Sequence, residues 1–253
     1  NPDAQVLAYD RNDNISFLGC GIALTVSGVV KNPDNLFYAD VPTLEKMGAT
    51  VKMKHDVTAI DTEAKTITVR NLKTDEEFTE TYDKLVYAGG SWPIDPPIKN
   101  KELENIEICK IYQHAKQLIA KAEDPAIRSV AVIGAGYIGI ELAEAYHRRG
   151  KRVTLIDMQD RVVPRYFDTD FTDRLQTDMA EHGIELVLGA GVTEYRGSDG
   201  KVSAVGTSKG EFPADLVIQS IGFKPNTQLL SHAEQIPNGA LKVNQYMQTS
   251  LPD

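Results

Sequence analysis

Residues 130–141 read Val-Ala-Val-Ile-Gly-Ala-Gly-Tyr-Ile-Gly-Ile-Glu, and this stretch decides the fold. The apolar run Ser129–Ile133 is typical of a buried strand, and it leads directly into glycines at Gly134, Gly136 and Gly139. A strand that ends in this glycine spacing predicts a tight turn, a close approach of the backbone to a ligand, and a helix packed closely against the strand.

The residues after the glycines complete the pattern. A helical pattern covers residues 137–149, a strand-like run covers 152–156, and Asp157 closes that run. The acid stands about 20 residues after the first glycine, which is where a dinucleotide-binding unit carries one. This order predicts a βαβ unit that binds a dinucleotide, with the pyrophosphate at the helix N-terminus. The alternative is a glycine-rich turn that binds no ligand.

The acid bears on which dinucleotide is bound. A carboxylate at Asp157 accepts a hydrogen bond from a ribose 2′-hydroxyl and repels a 2′-phosphate, so the sequence favours NADH over NADPH. Arg161 follows four residues later. Because a guanidinium binds phosphate, NADPH remains an alternative to NADH.

The composition limits the class of protein. With 42% hydrophobic and 25% charged residues over 253 positions, the chain suits a globular protein of one or two domains. No apolar run approaches the roughly 20 residues of a membrane span, and no signal-peptide pattern opens the chain. A net charge of −9 with dispersed Lys and Arg argues against nucleic acid and membrane as partners. Two cysteines, Cys20 and Cys109, make no disulfide framework, which predicts a cytoplasmic location.

Strand and helix patterns alternate along the rest of the chain. Strands are predicted at residues 5–10, 49–54, 57–61, 66–71, 77–82, 84–87, 184–188 and 216–221, with a meander at 192–212. Helices are predicted at 20–29, 43–47, 113–122 and 170–182. The proline-rich segment 92–97 indicates a linker between two lobes. The histidines show no spacing typical of metal ligands.

Three separated motifs carry a resemblance to a known family. They are Ser16-Phe17-Leu18-Gly19-Cys20-Gly21, the glycine stretch 134–141, and Gly222-Phe223-Lys224-Pro225-Asn226-Thr227. Their order and spacing resemble the flavin-dependent pyridine nucleotide–disulfide oxidoreductases over essentially the whole chain. The single-cysteine branch is the most similar: NADH oxidases, NADH peroxidases and coenzyme A–disulfide reductases. The resemblance implies an α/β fold of Rossmann-like FAD/NAD(P)-binding domains, with parallel sheets and antiparallel β-meander insertions.

The resemblance also implies how the chain is divided. Residues 1–94 resemble part of the FAD-binding domain, 95–222 the NAD-binding domain, and 223–253 the return to the FAD-binding domain. The chain starts at Asn1 without Met. The family's first glycine loop, its active-site histidine, its second flavin motif and its dimerisation domain have no counterpart. The sequence therefore resembles a fragment lacking both ends, and the resemblance implies a homo-oligomeric full-length parent.

Cys20 is the candidate catalytic residue. It follows a loop and opens a predicted helix, and a helix N-terminus favours the thiolate. No second cysteine lies within five residues, so a CxxxxC dithiol is excluded. A lone thiolate suits a cycle between thiolate and sulfenic acid, or a mixed disulfide with a small thiol. From composition alone an inert buried cysteine is the alternative, which is also how Cys109 is interpreted.

Two sets of residues resemble cofactor contacts of the family. The flavin set is Asp10, Ala88, Gly89, Gly90, Ser91 and Lys110, where Asp10 is placed to hold a ribose and Lys110 stands for a basic flavin contact. The nicotinamide-dinucleotide set is Gly134, Gly136, Tyr137, Ile138, Gly139, Glu141, Asp157, Tyr166 and Gly222. Tyr137 resembles the aromatic that covers the flavin, Glu141 the carboxylate near the nicotinamide, and Tyr166 a stacking partner of adenine. An ordinary surface or turn residue is the alternative at Asp10, Lys110, Glu141 and Tyr166.

The predicted activity follows from the resemblance. It is a flavin-dependent NADH oxidase that passes hydride from NADH to FAD and reduces oxygen to water with a single redox cysteine. NADH peroxidase and coenzyme A–disulfide reductase are alternatives that use peroxide or a disulfide as the small-molecule acceptor. Because the flavin loop has no counterpart, a non-catalytic NADH-binding fragment is an alternative of another class.

Overall fold

A computed structural model describes residues 4–252, which form two compact units. The first unit consists of Asn1–Phe17, Phe37–Trp92 and Lys224–Asp253, and the second of Leu18–Leu36 and Pro93–Phe223. The chain ends that resemble those of a fragment, residues 1–3 and 253, lie outside the described residues. The division into cofactor domains at 94/95 and 222/223 stays a prediction.

The elements follow one another in chain order. The strands are β1 (Val6–Asp10), β2 (Ala49–Met53), β3 (His55–Asp61), β4 (Thr66–Asn71), β5 (Glu77–Thr81), β6 (Ser91–Pro93), β7 (Ile106–Ile108), β8 (Ser129–Ile133), β9 (Arg152–Ile156), β10 (Glu185–Val187), β11 (Val192–Ser198), β12 (Lys201–Thr207), β13 (Gly210–Pro213), β14 (Leu216–Gln219) and β15 (Phe223–Pro225). The helices are α1 (Ile22–Val26), α2 (Val41–Lys46), α3 (Tyr112–Glu123), α4 (Tyr137–Arg148) and α5 (Thr169–Glu181). Short 3₁₀ turns cover Gly19–Gly21, Pro33–Leu36 and Gln228–Leu230.

The second unit is built on a parallel sheet. Among the described residues its strands run in the order β10-β9-β8-β14-β7, and every neighbouring pair is parallel. All of β8 is buried, because a strand in the middle of a parallel sheet has neighbours on both edges and cover on both faces. This burial explains why its sequence is a continuous apolar run. The strands β11, β12 and β13 form an antiparallel meander.

Helix α4 shows how the sheet is covered. Its buried stripe includes Leu142, Ala143 and Tyr146, at the three- and four-residue spacing of one helical face. The Tyr146 hydroxyl donates to the Leu118 carbonyl of α3 (2.8 Å), so the two helices are joined through a buried polar contact. The short helix α1 packs against both α3 and α4. The segment that carries Cys20 therefore belongs to the second unit.

The first unit contains two small sheets among its described residues. Strands β1 and β2 pair in parallel, and β3, β4 and β5 form an antiparallel meander. Helix α2 begins at an Asp40 cap, whose carboxylate accepts a hydrogen bond from the Thr43 N–H (2.9 Å). Pro42 lies in its first turn, where its missing N–H would have no partner within the helix.

The two ends of segment 94–222 in the second unit lie next to each other. The Ile94 N–H donates to the Gly222 carbonyl (3.0 Å), so the residue at which this segment begins touches the one at which it ends. Gly222 adopts a φ of +105°, a left-handed conformation that glycine reaches without a steric penalty.

The mixed α/β class with parallel sheets and antiparallel meanders is confirmed. The bounds predicted for β4, β8 and β9 agree with the structure, and the helices α3, α4 and α5 agree within one residue at each end. These elements have long, regular apolar patterns, which are the most reliable local signal of secondary structure.

Two predicted elements are wrong. Residues 84–87 do not form a strand: Val86 is 88% exposed, and no strand in the described part of the chain pairs with them. A strand needs a neighbouring strand to hydrogen-bond its backbone groups. The predicted helix 20–29 is shorter, because Cys20 lies in a 3₁₀ turn and Gly28 leaves the helical region at a φ of +84°. The short strands β6, β7 and β15 escaped prediction.

Asp215 ties the start of β14 to the start of β8. Its Oδ2 accepts hydrogen bonds from Arg128 N (2.9 Å), Ser129 N (2.8 Å) and Ser129 Oγ (2.8 Å). Burial alone would raise the pKa of this carboxyl, but the three hydrogen bonds outweigh burial and lower the pKa.

We expect Asp215→Asn to lower the free energy of unfolding at neutral pH by about 1–3 kcal/mol, since it removes charge-assisted hydrogen bonds. A carboxyl with a lowered pKa stabilises the fold above its unfolded pKa, and this contribution is lost as the pH falls through the folded pKa. The difference in the free energy of unfolding between the variant and the wild type should therefore disappear below about pH 4. Urea unfolding across this pH range measures it, with the exposed Asp160→Asn as the matched control. A difference that stays constant into acid would contradict the assignment.

Candidate functional site

The glycine loop starts directly after β8. The Gly134 N–H donates to the Ile156 carbonyl of β9 (2.8 Å), which fixes the chain as it leaves the sheet. Gly134 has a φ of +103°, and a Cβ built there would lie 2.5 Å from the Ser220 carbonyl oxygen. Both the conformation and the space therefore require glycine.

The other two glycines differ from each other in what surrounds them. Gly139, in the first turn of α4, lies so close to the loop that a Cβ would overlap the Gly134 carbonyl oxygen. Gly136 is the N-cap of α4 and has open space where its Cβ would be. The N–H groups of the first turn, including that of Ile138, point out beyond the start of the helix. This open helix N-terminus fits the pyrophosphate of a dinucleotide.

Asp157 lies beside the glycine loop at the end of β9. Its Oδ2 accepts a hydrogen bond from the Ala135 N–H (2.5 Å), and its Oδ1 accepts one from the Gln159 N–H (2.7 Å). Two carboxylate oxygens offer about four acceptor positions, so the group keeps capacity for a ribose hydroxyl. The structure thus brings the acid that is predicted to bind the ribose next to the loop that is predicted to bind the pyrophosphate.

Two predicted aromatic contacts lie against each other. The rings of Tyr137 and Tyr166 are 4.1 Å apart between centroids, with an interplanar angle of 33°. Both side chains are about half exposed. Their predicted roles, covering the flavin and stacking on adenine, stay predictions, and in this structure each ring covers a face of the other.

Cys20 lies in a groove between α1 and α4. The groove has a volume of about 290 Å³, and Cys20, Leu24, Glu141 and Arg148 are among its lining residues. Cys20 is exposed, so it does not fit the interpretation of an inert buried cysteine. Partial burial first, and the neighbouring Glu144 second, raise the pKa of the Glu141 carboxyl. The groove therefore holds a thiol and a carboxyl that retains its proton to higher pH than an ordinary glutamate.

Cys109 differs from Cys20 in burial. It is 7% exposed, and burial first and Glu141 second raise the pKa of its thiol to about 12. A thiol with this pKa stays protonated at neutral pH and is a poor nucleophile. The interpretation of Cys109 as a small apolar core residue agrees with this environment.

The residues that resemble flavin contacts occupy both units. Asp10 ends β1 in the first unit, and its Oδ1 accepts from both the N–H and the side-chain amide of Asn12 (2.8 Å each). In the same unit, Ala88, Gly89 and Gly90 are exposed and lead into Ser91 at the start of β6. Lys110 lies in the second unit, with its Nζ 4.7 Å from the centroid of the Phe223 ring.

Two residues at the site were missed from the sequence. The Asn226 N–H and side-chain amide donate to the carbonyls of Gly90 (3.0 Å) and Gly89 (2.9 Å), which fixes the segment predicted to pass the flavin. Ser220 contacts the glycine loop. Asn226 lies inside the third motif, so the sequence offered a signal for it. For Ser220 the sequence offered only its place at the end of a buried run.

Among residues 4–252 no helix is long and apolar enough to cross a membrane. In the same part of the chain, no group of three His, Cys, Asp or Glu side chains is arranged to hold a metal ion.

A parallel βαβ unit with an open helix N-terminus beside a strand-end acid defines a dinucleotide-binding protein of the Rossmann type. An exposed cysteine, Cys20, lies in the same compact unit. The chain belongs to the pyridine nucleotide-disulphide oxidoreductase family, whose model matches residues 1–253.

Relatives within this family are close. An NADH oxidase of Enterococcus faecalis is 51% identical over 255 residues, covering 100% of this chain and 57% of that protein. The water-forming NADH oxidase of Lactobacillus brevis bound to NADH matches with a TM-score of 0.96 at 47% identity, over 100% of this chain and 56% of that one. Reduced CoADR-RHD of Bacillus anthracis matches with a TM-score of 0.94 at 28% identity, over 100% of this chain and 45% of that one. The chain thus spans about half the length of the relatives it matches, and the Rossmann-like fold class is confirmed.

We expect alanine to have different effects at two glycines of the loop. Gly134→Ala strains a left-handed residue against Ser220 and should cost about 2–4 kcal/mol of stability. Gly136→Ala has room and a φ of −79°, so its stability should stay within about 0.5 kcal/mol of the wild type. Its added methyl group stands where the pyrophosphate approaches, so the Kd for NADH should rise about tenfold or more. Thermal unfolding and calorimetric NADH titration separate the two effects, and a Gly136→Ala protein with unchanged NADH affinity would contradict this placement.

Proposed function

We propose that this chain is the cofactor-binding part of an FAD-dependent NADH oxidase that reduces oxygen to water. The observation that carries the proposal is the exposed Cys20 in the same unit as the glycine loop, in a chain 51% identical to an NADH oxidase. The proposed domains are residues 1–94 and 223–253 for FAD and 95–222 for NADH. A cytoplasmic location and a homo-oligomeric parent stay predictions from the sequence.

The residues assigned to NADH fit a dinucleotide. Gly136 offers open space at a helix N-terminus, which suits the negative pyrophosphate. Asp157 offers acceptor capacity for the ribose, and the half-exposed Tyr166 offers a ring face to adenine. Gly222, in the segment between β14 and β15, offers backbone groups to the carboxamide. Tyr137, Ile138 and Glu141 are assigned to the nicotinamide end of the site.

The residues assigned to FAD are Asp10, Ala88, Gly89, Gly90, Ser91 and Lys110. Gly89 and Gly90 expose backbone that a flavin can approach, and Asn226 holds both in place. Asp10 stands at a strand end, as Asp157 does, and is assigned to the adenosine ribose. Lys110 supplies a positive charge.

When bound, NADH and FAD would supply the electrons that reduce oxygen. The protein supplies the thiol. Transfer of two electrons to oxygen yields hydrogen peroxide. The Cys20 thiolate attacks one peroxide oxygen, becomes a sulfenic acid and releases hydroxide, which takes up a solvent proton to give water. Two further electrons, from a second NADH, would return the sulfenic acid to the thiolate and release a second water.

Two other acceptors remain as alternatives. CoADR-RHD of Bacillus anthracis, of the coenzyme A–disulfide reductase type, shares the fold at 28% identity, which supports a disulfide acceptor at Cys20. NADH peroxidase uses the same thiol chemistry with external peroxide. A non-catalytic NADH-binding fragment is an alternative of another class, and the chain covers 56–57% of these NADH oxidases.

A visible absorbance spectrum of the 253-residue chain separates the enzyme from the fragment. Flavin bands that bleach with NADH under argon support the oxidase, because both cofactors must then be bound and in electronic contact. Absence of flavin from a chain that still binds NADH would restrict this piece to NADH binding.

We expect Cys20→Ser to change the product in the full-length parent. The wild type should consume about two NADH per oxygen and release water, and the variant about one NADH per oxygen with release of hydrogen peroxide, because a serine hydroxyl does not reduce peroxide. Oxygen electrode and NADH absorbance readings, with peroxide assayed at the end, measure the ratio. Cys109→Ala is the matched control and should keep the wild-type ratio. Water formation by Cys20→Ser would defeat the assignment of Cys20.

We expect Asp157→Ala to weaken NADH binding by about 1–3 kcal/mol, the value of a lost hydrogen bond to a charged group. The preference for NADH over NADPH should shrink, since the carboxylate that repels the 2′-phosphate is gone. Asp157→Asn keeps an acceptor for the Ala135 N–H and tests whether loop support or charge is responsible. Fluorescence titration with both dinucleotides measures these effects. Unchanged NADH affinity in Asp157→Ala would rule out a ribose contact.

A further inference from the structure

Ser220 makes a set of contacts with the glycine loop that no assigned role uses. It follows β14, and its N–H donates to the Ile133 carbonyl (2.8 Å). Its Oγ lies 3.0 Å from the same carbonyl and 3.3 Å from the Gly134 carbonyl. The hydroxyl proton is thus directed at the last carbonyl of β8 and at the first carbonyl of the loop.

The same place on the loop is where α4 comes closest. A Cβ on Gly139 would overlap the Gly134 carbonyl oxygen and lie 3.0 Å from Ser220 Oγ. The Ser220 main chain also approaches from the other side, with its carbonyl oxygen 2.5 Å from a Cβ on Gly134. The Gly134 carbonyl is therefore held between the Ser220 hydroxyl and the first turn of α4.

Holding this carbonyl fixes the peptide plane that joins Gly134 to Ala135. A peptide unit is planar, so the direction of the Gly134 carbonyl sets the direction of the Ala135 N–H. That N–H donates to Asp157 Oδ2, and the next residue is the open N-cap Gly136. Ser220 therefore orients, through one peptide plane, the loop that faces the pyrophosphate and the acid that faces the ribose.

We propose that Ser220 is a positioning residue for dinucleotide binding, acting through the Gly134 carbonyl; this rests on the proposed binding of NADH. It touches no part of the loop's open side, and its effect is to keep the loop in one conformation before the ligand arrives. Preorganisation of this kind lowers the cost of ordering a loop on binding.

The test combines ligand affinity with a measurement that needs no ligand. Ser220→Ala removes the hydroxyl and keeps the main-chain bond to Ile133. We expect the Kd values for NADH and for ADP to rise by the same factor, roughly 3–10-fold, as for loss of one neutral hydrogen bond. ADP carries the pyrophosphate and lacks the nicotinamide. Hydrogen exchange of the ligand-free protein should become faster in the loop segment 134–140.

Ser203→Ala is the matched control, because the Ser203 hydroxyl also donates to a backbone carbonyl, that of Arg196 (3.3 Å), in the same unit. It should lower stability to a similar degree and leave both Kd values and the exchange of segment 134–140 unchanged. A general loss of stability would neither accelerate exchange in segment 134–140 selectively nor weaken ligand binding more in Ser220→Ala than in Ser203→Ala.

Each outcome decides the matter. Unchanged Kd values and unchanged loop exchange in Ser220→Ala would overturn the role. Weaker NADH binding with unaffected ADP binding would also overturn it, because the hydroxyl would then act at the nicotinamide end. A wild-type protein that binds neither ligand would refute the proposed NADH binding itself, and this result is separate because it precedes any comparison of variants.

Discussion

The close approach between the Gly134 carbonyl and the Cα of Gly139 is the constraint on which the candidate site depends. It brings the first turn of α4 down onto the end of β8, with no room for a side chain at either glycine. Because the helix starts this close to the sheet, its N-terminus opens beside the loop at Gly136. The acid at the end of the next strand, Asp157, then reaches the Ala135 N–H. A longer turn would separate these three features.

The two central strands are fixed to each other at both ends by side chains. Asp215 bonds the start of β8, and Ser220 bonds its end, so β14 carries a polar contact immediately before its first residue and immediately after its last. The Asp215 contacts are with the residues at which β8 begins, and the Ser220 contacts are with the last residue of β8 and the first residue of the glycine loop. The contact that stabilises the fold and the contact proposed to support binding therefore lie at opposite ends of the same four-residue strand.

The sequence predicted the βαβ core well because its local pattern and its tertiary surroundings agree. The apolar runs of β8 and β9 are buried strands, and glycine, helix and acid follow in the only order that closes the unit. The predicted strand at 84–87 failed because an apolar run does not reveal whether a partner strand exists. The shortened α1 depends on the backbone of Gly28, which periodicity does not report.

The candidate site was predictable in part. Spacing predicted that the loop glycines and Asp157 lie together, and they do, since both are set by chain geometry within one unit. Their roles in binding stay predictions. The pairing of Tyr137 with Tyr166, and of Cys20 with Glu141 in one groove, depends on how loops and helices pack. Ser220 was missed because its role lies in where its hydroxyl points, and a serine at the end of a strand has no distinctive sequence pattern.

The hydrogen bond between Ile94 and Gly222 has a consequence for how such a chain can change over time. A segment that leaves and re-enters at one point can be spliced into a surface turn of another protein without opening that protein's own sheet. Residues 94–222 thus form a segment whose two chain connections lie side by side. Its transfer would leave behind helix α1, which packs against α3 and α4 but is encoded earlier in the chain. Exchange of this segment alone would therefore carry the glycine loop and Asp157 and separate them from Cys20.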